Sequence, residues 1–145
     1  WDVKETIDKI NPKNQIQLDL SLMPENPRKL KISGNNQLLH LALSNILSNA
    51  CKYSSNQPVQ VSIGSSDEKI IIIIKDKGIG IPETELKYIY DPFFRASNTK
   101  KFEGYGIGLP LARNIIRLHN GTIEVDAKKD QGTTVQLKFP HISQF

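Results

Sequence analysis

Three polar side chains on one helix face are the first sign of chemistry in this chain. Asn45, Asn49 and Lys52 stand in the segment Asn45-Ile46-Leu47-Ser48-Asn49-Ala50-Cys51-Lys52-Tyr53. At about 100° per residue they fall within an arc of roughly 60°. Leu39, Leu43, Ile46, Leu47 and Ala50 fill a separate, apolar arc. One face is therefore greasy, and beside it runs a stripe of two amides and an ammonium. An amide oxygen is a neutral hard ligand, suited to a Mg²⁺ ion that keeps several waters and shares phosphate oxygens. A lysine one turn on is a point charge for those phosphates. The same stripe is also what the wet side of an ordinary amphipathic helix presents, so its meaning rests on what accompanies it.

Four groups accompany it. Asp76-Lys77-Gly78-Ile79-Gly80-Ile81-Pro82 comes directly after a buried strand. A carboxylate at a strand end can accept a hydrogen bond from an exocyclic amine, and glycines let a flat ring approach the backbone. Asp-x-Gly is also a common turn. Asp91-Pro92-Phe93-Phe94-Arg95 sets a guanidinium after two rings. Arg95 can reach a terminal phosphate, or it is a surface arginine beside two core phenylalanines. Gly104-Tyr105-Gly106-Ile107-Gly108-Leu109 opens a helix, where free N–H groups and the positive dipole end face an anion. Its Gly-x-Gly-x-Gly spacing, after a loop and not a strand, is not the dinucleotide fingerprint, and the P-loop pattern is absent. Thr133 opens the last strand, and its hydroxyl can bridge to a base or to Asp76, though most strand threonines do neither.

The elements that must position these groups read as follows. Residues 2–10 predict a short helix ending before Asn11-Pro12, and Ile16, Leu18, Leu20 and Leu22 alternate with polar residues as a half-buried strand. Two prolines make 23–28 a loop, and 29–32 is a short strand. Asn35 or Asn36 caps the amide-bearing helix, which ends near Ser54. Val59, Val61 and Ile63 form a strand, 64–69 a turn, and 70–75 a strand buried on both faces. Pro82 starts a helix to about Tyr90, with Leu86 and Ile89 or Tyr90 toward the core, and Asp91-Pro92 stops it. Residues 93–106 lack any period and read as a long flexible loop. A helix over 107–119 places Leu111, Ile115 and Leu118 at core spacing, and Asn120-Gly121 ends it. Strands over 122–127 and 133–139 close the chain. The expected fold is an α/β (α+β) two-layer sandwich: a mixed sheet of about five strands with about three helices on one face.

At 145 residues the chain is expected to form one domain, 1–145, with 1–28 as lead-in and first strand. A net charge of +4 fits an anionic ligand but is too weak and scattered for nucleic acid. The longest aliphatic run, Ile70 to Ile74, is far too short to span a bilayer, and no signal peptide is visible. The chain opens on Trp1 and not Met, so it reads as a piece of a larger protein whose membrane anchor lies elsewhere. The single cysteine, Cys51, excludes an internal disulfide and any Cys-based metal centre, and fits a reducing compartment.

Taken in order, these motifs resemble those of the catalytic ATP-binding domain of sensor histidine kinases, a branch of the GHKL superfamily. The resemblance runs from about Leu30 to Phe139. The N box resembles Asn45 to Tyr53, the G1 box Asp76 to Pro82, the F box Asp91 to Arg95 and the G2 box Gly104 to Leu109. It implies the Bergerat fold, with ATP between the N-box helix and a mobile lid at about 94–106. It implies Asn49 as the Mg²⁺ ligand with Asn45 lining the same site, Lys52 at the phosphates, and Tyr53 near sugar or base. Asp76 accepts the adenine amine, Gly78, Gly80 and Ile81 shape the adenine pocket, and Thr133 supports Asp76. Phe94 anchors the lid, Arg95 approaches the γ-phosphate, and Gly104, Tyr105, Gly106, Ile107, Gly108 and Leu109 hinge the lid and bind phosphate. Asn45, Lys52 and Arg95 are the expected catalytic residues. The implied partners are a histidine-bearing dimerisation domain of the same protein and a response-regulator receiver domain. Nucleic acid and direct membrane contact are not expected, and the setting is cytoplasmic, beneath a bacterial membrane-anchored sensor.

Hydrolytic members of the superfamily resemble an N box of Glu-x-x-x-Asn, whose Glu activates water. Here that position is Asn45, and an amide takes no proton at neutral pH. The resemblance therefore implies transfer to a histidine over hydrolysis. A hydrolytic ATPase and a nucleotide-sensing interaction module are the alternatives. His40, His119 and His141 do not fit the acceptor pattern His-Glu/Asp-x-x-x-Pro, so the acceptor is expected outside the chain.

Overall fold

A computed structural model describes residues 16–19, 34–54, 57–66, 69–91 and 108–140. Five strands form one sheet: β1 (Ile16–Asp19), β2 (Val59–Ser66), β3 (Lys69–Asp76), β4 (Thr122–Lys128) and β5 (Gly132–Pro140). Their order is β1-β2-β3-β5-β4. β1 runs parallel to β2, and the other pairings are antiparallel, so the sheet is mixed. Two helices, α1 (Asn36–Tyr53) and α2 (Gly108–Leu118), and a 3₁₀ turn (Glu83–Tyr88) complete the described elements. The expected two-layer sandwich is what forms. Among the described residues no helix is long and apolar enough to cross a membrane.

Asn35 is the N-cap of α1, and its Oδ1 accepts from the Leu38 N–H at 3.0 Å. This satisfies one of the orphan donors of the first turn. Ala42, Ile46, Leu47, Ala50 and Cys51 then face inward. They meet Val59, Val61, Ile74, Val135, Leu137 and Phe139 from the sheet in one core. Burying each large aliphatic or aromatic side chain there contributes about 1.5–3 kcal/mol. Asn120 adopts φ 60 after α2. The Gly121 N–H donates to Ile116 O and the Asn120 N–H to Arg117 O, the paired bonds of a Schellman cap.

Four expectations are corrected. β2 runs through Ser66 and β3 starts at Lys69, so the turn is tighter than 64–69. β3 is buried on one face only: Ile70 and Ile74 are in the core, whereas Ile71 and Ile73 are half-buried on the far face, with Gln136 and Lys138 across from them on β5. The segment after Pro82 is a 3₁₀ turn with Glu85 N–H to Pro82 O and Ile89 N–H to Leu86 O bonds. It buries none of its residues, and runs this short favour the tighter i to i−3 bonding. On α2, Leu111 and Leu118 are exposed, and Ala112, Ile115, Ile116 and His119 form the inner face. Small Ala112 allows close approach, and a histidine replaces leucine because both its ring nitrogens are hydrogen-bonded. The helix expected over 2–10, the end of the first strand at Leu20 and Leu22, the loop at 23–28, the strand at 29–32, the whole loop at 93–106, and His141 lie outside the described residues.

Candidate functional site

Asp76 ends β3 and is 7% exposed. Its Oδ1 accepts from the Gly78 N–H at 2.9 Å and the Thr133 N–H at 3.2 Å. Thr133 is the register partner of Asp76 on β5 and supports the carboxylate through its backbone. Among the described residues nothing donates to Oδ2. Burial pushes the Asp76 carboxyl above the usual range, and the two N–H bonds pull it partly back. The result is a buried carboxylate, half-satisfied and rigidly aimed, with one oxygen left for a donor such as a base amine.

The loop after Asp76 is held from two sides. The Ile79 N–H donates to Tyr53 O at 3.2 Å, and the Asp130 N–H donates to Ile79 O at 2.7 Å. The glycines are needed for this docking. A Cβ on Gly78 would strike the Tyr53 carbonyl, and one on Gly80, whose φ is +65, would strike the Lys128 carbonyl. The Cβ-side space at both is thus filled by backbone and not open to a ring. Gly132, at φ +91, lies against the Asp76 carbonyl in the same way. Ile81 is half-buried at the end of this loop.

Tyr53 brings the loop to the end of α1, where the polar stripe sits. Asn45, Asn49, Lys52 and Tyr53 are all half-buried. Among the described residues neither Asn45 nor Asn49 has a side-chain partner. The Lys52 Nζ lies 4.9 Å from the Tyr53 ring centroid, which holds the ammonium beside the loop. Two neutral amide oxygens, uncommitted and next to an ammonium, are a donor set that fits Mg²⁺ carried on phosphate. Among the described residues no cluster of three His, Cys, Asp or Glu offers another metal centre.

Gly108 and Leu109 begin α2, with Leu109 half-buried. Phe94, Arg95, Gly104, Tyr105, Gly106 and Ile107 lie outside the described residues. The turn expected around Asp130 to Gly132 forms between β4 and β5, but no residue pattern signals that Lys128 and Asp130 brace the loop after Asp76. Asp130 at φ 63 and Gly132 at φ 91 mark the turn, since Asp and Gly tolerate that region better than most residues. From the sequence His119 reads as a structural or solvent histidine near a helix C-terminus, and it is the structural one. It is buried, donating from Nδ1 to Ile115 O at 2.8 Å and accepting the Asn35 N–H on Nε2 at 3.0 Å.

A mixed sheet under two helices, with a half-satisfied carboxylate at a strand end beside an amide-bearing helix, defines a nucleotide-binding α/β sandwich. The family described as histidine kinase-, DNA gyrase B-, and HSP90-like ATPase matches residues 34–143. The chain belongs to that family, as an ATP-binding catalytic domain of the sensor histidine kinase type. It is 32% identical over 119 residues to the sensor histidine kinase WalK of Bacillus subtilis, covering 79% of this chain and 20% of that protein. It is 37% identical over 124 residues to the adaptive-response sensory kinase SasA of Rippkaea orientalis, covering 83% of this chain and 32% of that protein. The chain thus spans a third or less of these relatives. The mycobacterial sensor histidine kinase MprB superposes with a TM-score of 0.83 at 24% identity, covering 99% of this chain and 93% of that one. Full-length ShkA in complex with AMPPNP gives 0.76 at 18% identity, covering 98% and 30%. These two likenesses bear on the fold alone.

Proposed function

We propose that this chain is one ATP-binding domain of a larger two-component sensor kinase. It transfers the γ-phosphoryl group of Mg-ATP to a histidine on a dimerisation domain outside the chain. That group is then relayed to an aspartate of a response-regulator receiver domain. The observation that carries this reading is the open Oδ2 of Asp76, fixed in a buried position beside the amide stripe of α1. Oδ2 accepts the adenine amine, Ile81 lines the pocket, and Tyr53 packs near sugar or base. Asn49 holds the magnesium ion, Asn45 lines its site, and Lys52 meets the phosphates. When bound, the ion neutralises phosphate charge. Arg95 approaches the γ-phosphate, and the glycine run from Gly104 to Gly108 presents backbone N–H groups. Phosphoryl transfer needs mainly positioning and charge stabilisation, and these side chains supply both. Asn45 cannot act as a base toward water, which protects ATP from hydrolysis.

His119 is not the acceptor, because both its nitrogens are engaged. The work is done on the cytoplasmic side, with sensing and any anchor carried by other parts of the protein. The test is to incubate the full-length protein with γ-labelled ATP. Label retained on protein, acid-labile and base-stable, is expected, with none on the 145-residue chain alone. Accumulation of free phosphate without labelled protein would refute the reading in favour of a hydrolase.

A further inference from the structure

The β4–β5 turn is built around Asp130. The Gln131 N–H returns to Lys128 O at 3.0 Å, so 128–131 is a β-turn with Asp130 in its third place. There Asp130 takes φ 63, a conformation that such turns ordinarily give to Gly or Asn. Among the described residues its carboxylate has no partner. What the conformation aims is the backbone. The Asp130 N–H donates to Ile79 O at 2.7 Å, and the Ile79 N–H donates to Tyr53 O at 3.2 Å. Ile79 is thus held by the β4–β5 turn on one side and by the end of α1 on the other. Two further contacts close on the same segment from the turn. The Lys128 carbonyl fills the space beside Gly80, and Gly132 lies against the Asp76 carbonyl.

We propose that Asp130 is a positioning residue that sets base specificity: its left-handed backbone aims an N–H at Ile79 O and holds the loop after Asp76 so that Oδ2 meets an amine and refuses an oxygen. This rests on the proposed function, because Asp76 is there the acceptor of the adenine amine. Guanine presents an oxygen where adenine presents that amine. A site built to bond a donor rejects a base that lacks it, provided the acceptor cannot retreat. Asp76 is fixed directly by the Gly78 and Thr133 N–H groups, and the loop that carries Gly78 is fixed in turn by Tyr53 and Asp130. Such outer support is what keeps a recognition group in its productive place. Asn45, Asn49 and Lys52 of α1 are assigned to metal and phosphate, which ATP and GTP share. The preference between the two nucleotides therefore isolates the base end, where Asp130 acts.

Displacement titrations with Mg-ATP and Mg-GTP on the 145-residue chain test this, read as the ratio of the two dissociation constants, with a melting temperature for each variant. The unsubstituted chain is expected to prefer ATP. In D130V a β-branched side chain opposes φ 63, so the turn relaxes and its N–H leaves Ile79 O. ATP is then expected to weaken by about 3- to 10-fold, the worth of one hydrogen bond, and GTP by less than about twofold. D130N and D130G tolerate the left-handed backbone and keep the N–H, so their ratios are expected within about twofold of the unsubstituted one, even where D130G melts lower. D76N/D130V is expected to show the ratio of D76N alone, because Asp130 acts through Asp76. If D130V does not fold, D130A carries the test. Equal losses of ATP and GTP, an unchanged ratio in D130V, or a ratio lowered as much in the D76N background overturns the assignment while leaving ATP binding standing. No preference for ATP in the unsubstituted chain, or a ratio that D76N leaves unchanged, overturns it together with the adenine reading of Asp76.

Discussion

Asp76→Asn separates the cost of the carboxylate from its use. The substitution keeps an oxygen that can accept from the Gly78 and Thr133 N–H groups, as Oδ1 does now. The amide NH₂ then occupies the place of Oδ2 and points a donor at the base amine. If the amide flips, the same clash falls on the two backbone N–H groups. A hydrogen bond to a charged group is worth about 1.5–3 kcal/mol, and an unpaired buried donor costs about 1–3 more. The expected loss is therefore about 3 kcal/mol or more, roughly a hundredfold or more in ATP affinity, read by titration calorimetry. The nucleotide-free fold should respond in the opposite sense. Burial raises the Asp76 pKa, so the ionised form is the one that folding penalises. That penalty is fully felt above the raised pKa and is relieved as the pH falls through it, so this group's stabilising contribution is complete only below the ordinary carboxylate range. D76N removes the penalty, and its melting temperature should equal or exceed the native one at neutral pH, with the advantage shrinking toward acid. ATP affinity of the native chain should fall over the same acid window, because a protonated Asp76 no longer accepts on both oxygens. A D76N chain that binds ATP within about twofold of native, or one that melts lower at neutral pH, would refute the reasoning.

Asn49→Asp adds a charge to a neutral amide site and should shift the Mg²⁺ dependence of ATP affinity to lower metal concentration; identical magnesium titrations for the two chains would remove Asn49 from the metal site. Gly80→Ala puts a Cβ into the Lys128 carbonyl at φ +65 and should cost about 2–4 kcal/mol in urea unfolding. Gly34 has no unusual φ, but a Cβ there would strike the His119 ring. G34A should therefore cost about 1–3 kcal/mol in the native background and under about 0.5 kcal/mol in H119A; equal costs in both would deny that the ring fills that space.

The elements were legible where local patterning decides them. The caps at Asn35 and Asn120, the alternation in β2, β4 and β5, and the extent of α1 follow from residue types within a few positions. The failures occurred where tertiary contacts choose between equally good patterns. Leu111, Ile115 and Leu118 fit helical spacing as well as Ala112, Ile115, Ile116 and His119 do. The second set won because His119 finds the Asn35 N–H, contributed by the N-cap of α1. Nothing local to residue 119 announces that donor. For Ile71 and Ile73 the reason is the same. An unbroken aliphatic run suits a strand covered on both faces, but the described helices pack on one face only.

The candidate site divides along the same line. Residue types revealed which groups have the chemistry, since Asp76, Asn45, Asn49 and Lys52 carry it in their side chains. They did not reveal what aims Asp76, because its supports are main-chain atoms. The Gly78 N–H is two residues away, but the Thr133 N–H arrives through the β3–β5 register, the Tyr53 carbonyl through the end of α1, and the Asp130 N–H through the β4–β5 turn. Any residue but proline can supply a backbone N–H, so such a support leaves almost no mark on residue type. Its mark is left on the approaching residues, as glycine where a Cβ would collide, at Gly78, Gly80 and Gly132. These glycines therefore report protein docking on protein before they report ligand approach. It follows that the aim of the carboxylate depends on the sheet register and on the α1 terminus together. Substitutions that loosen the β4–β5 turn should weaken adenine recognition without touching a residue that meets the base.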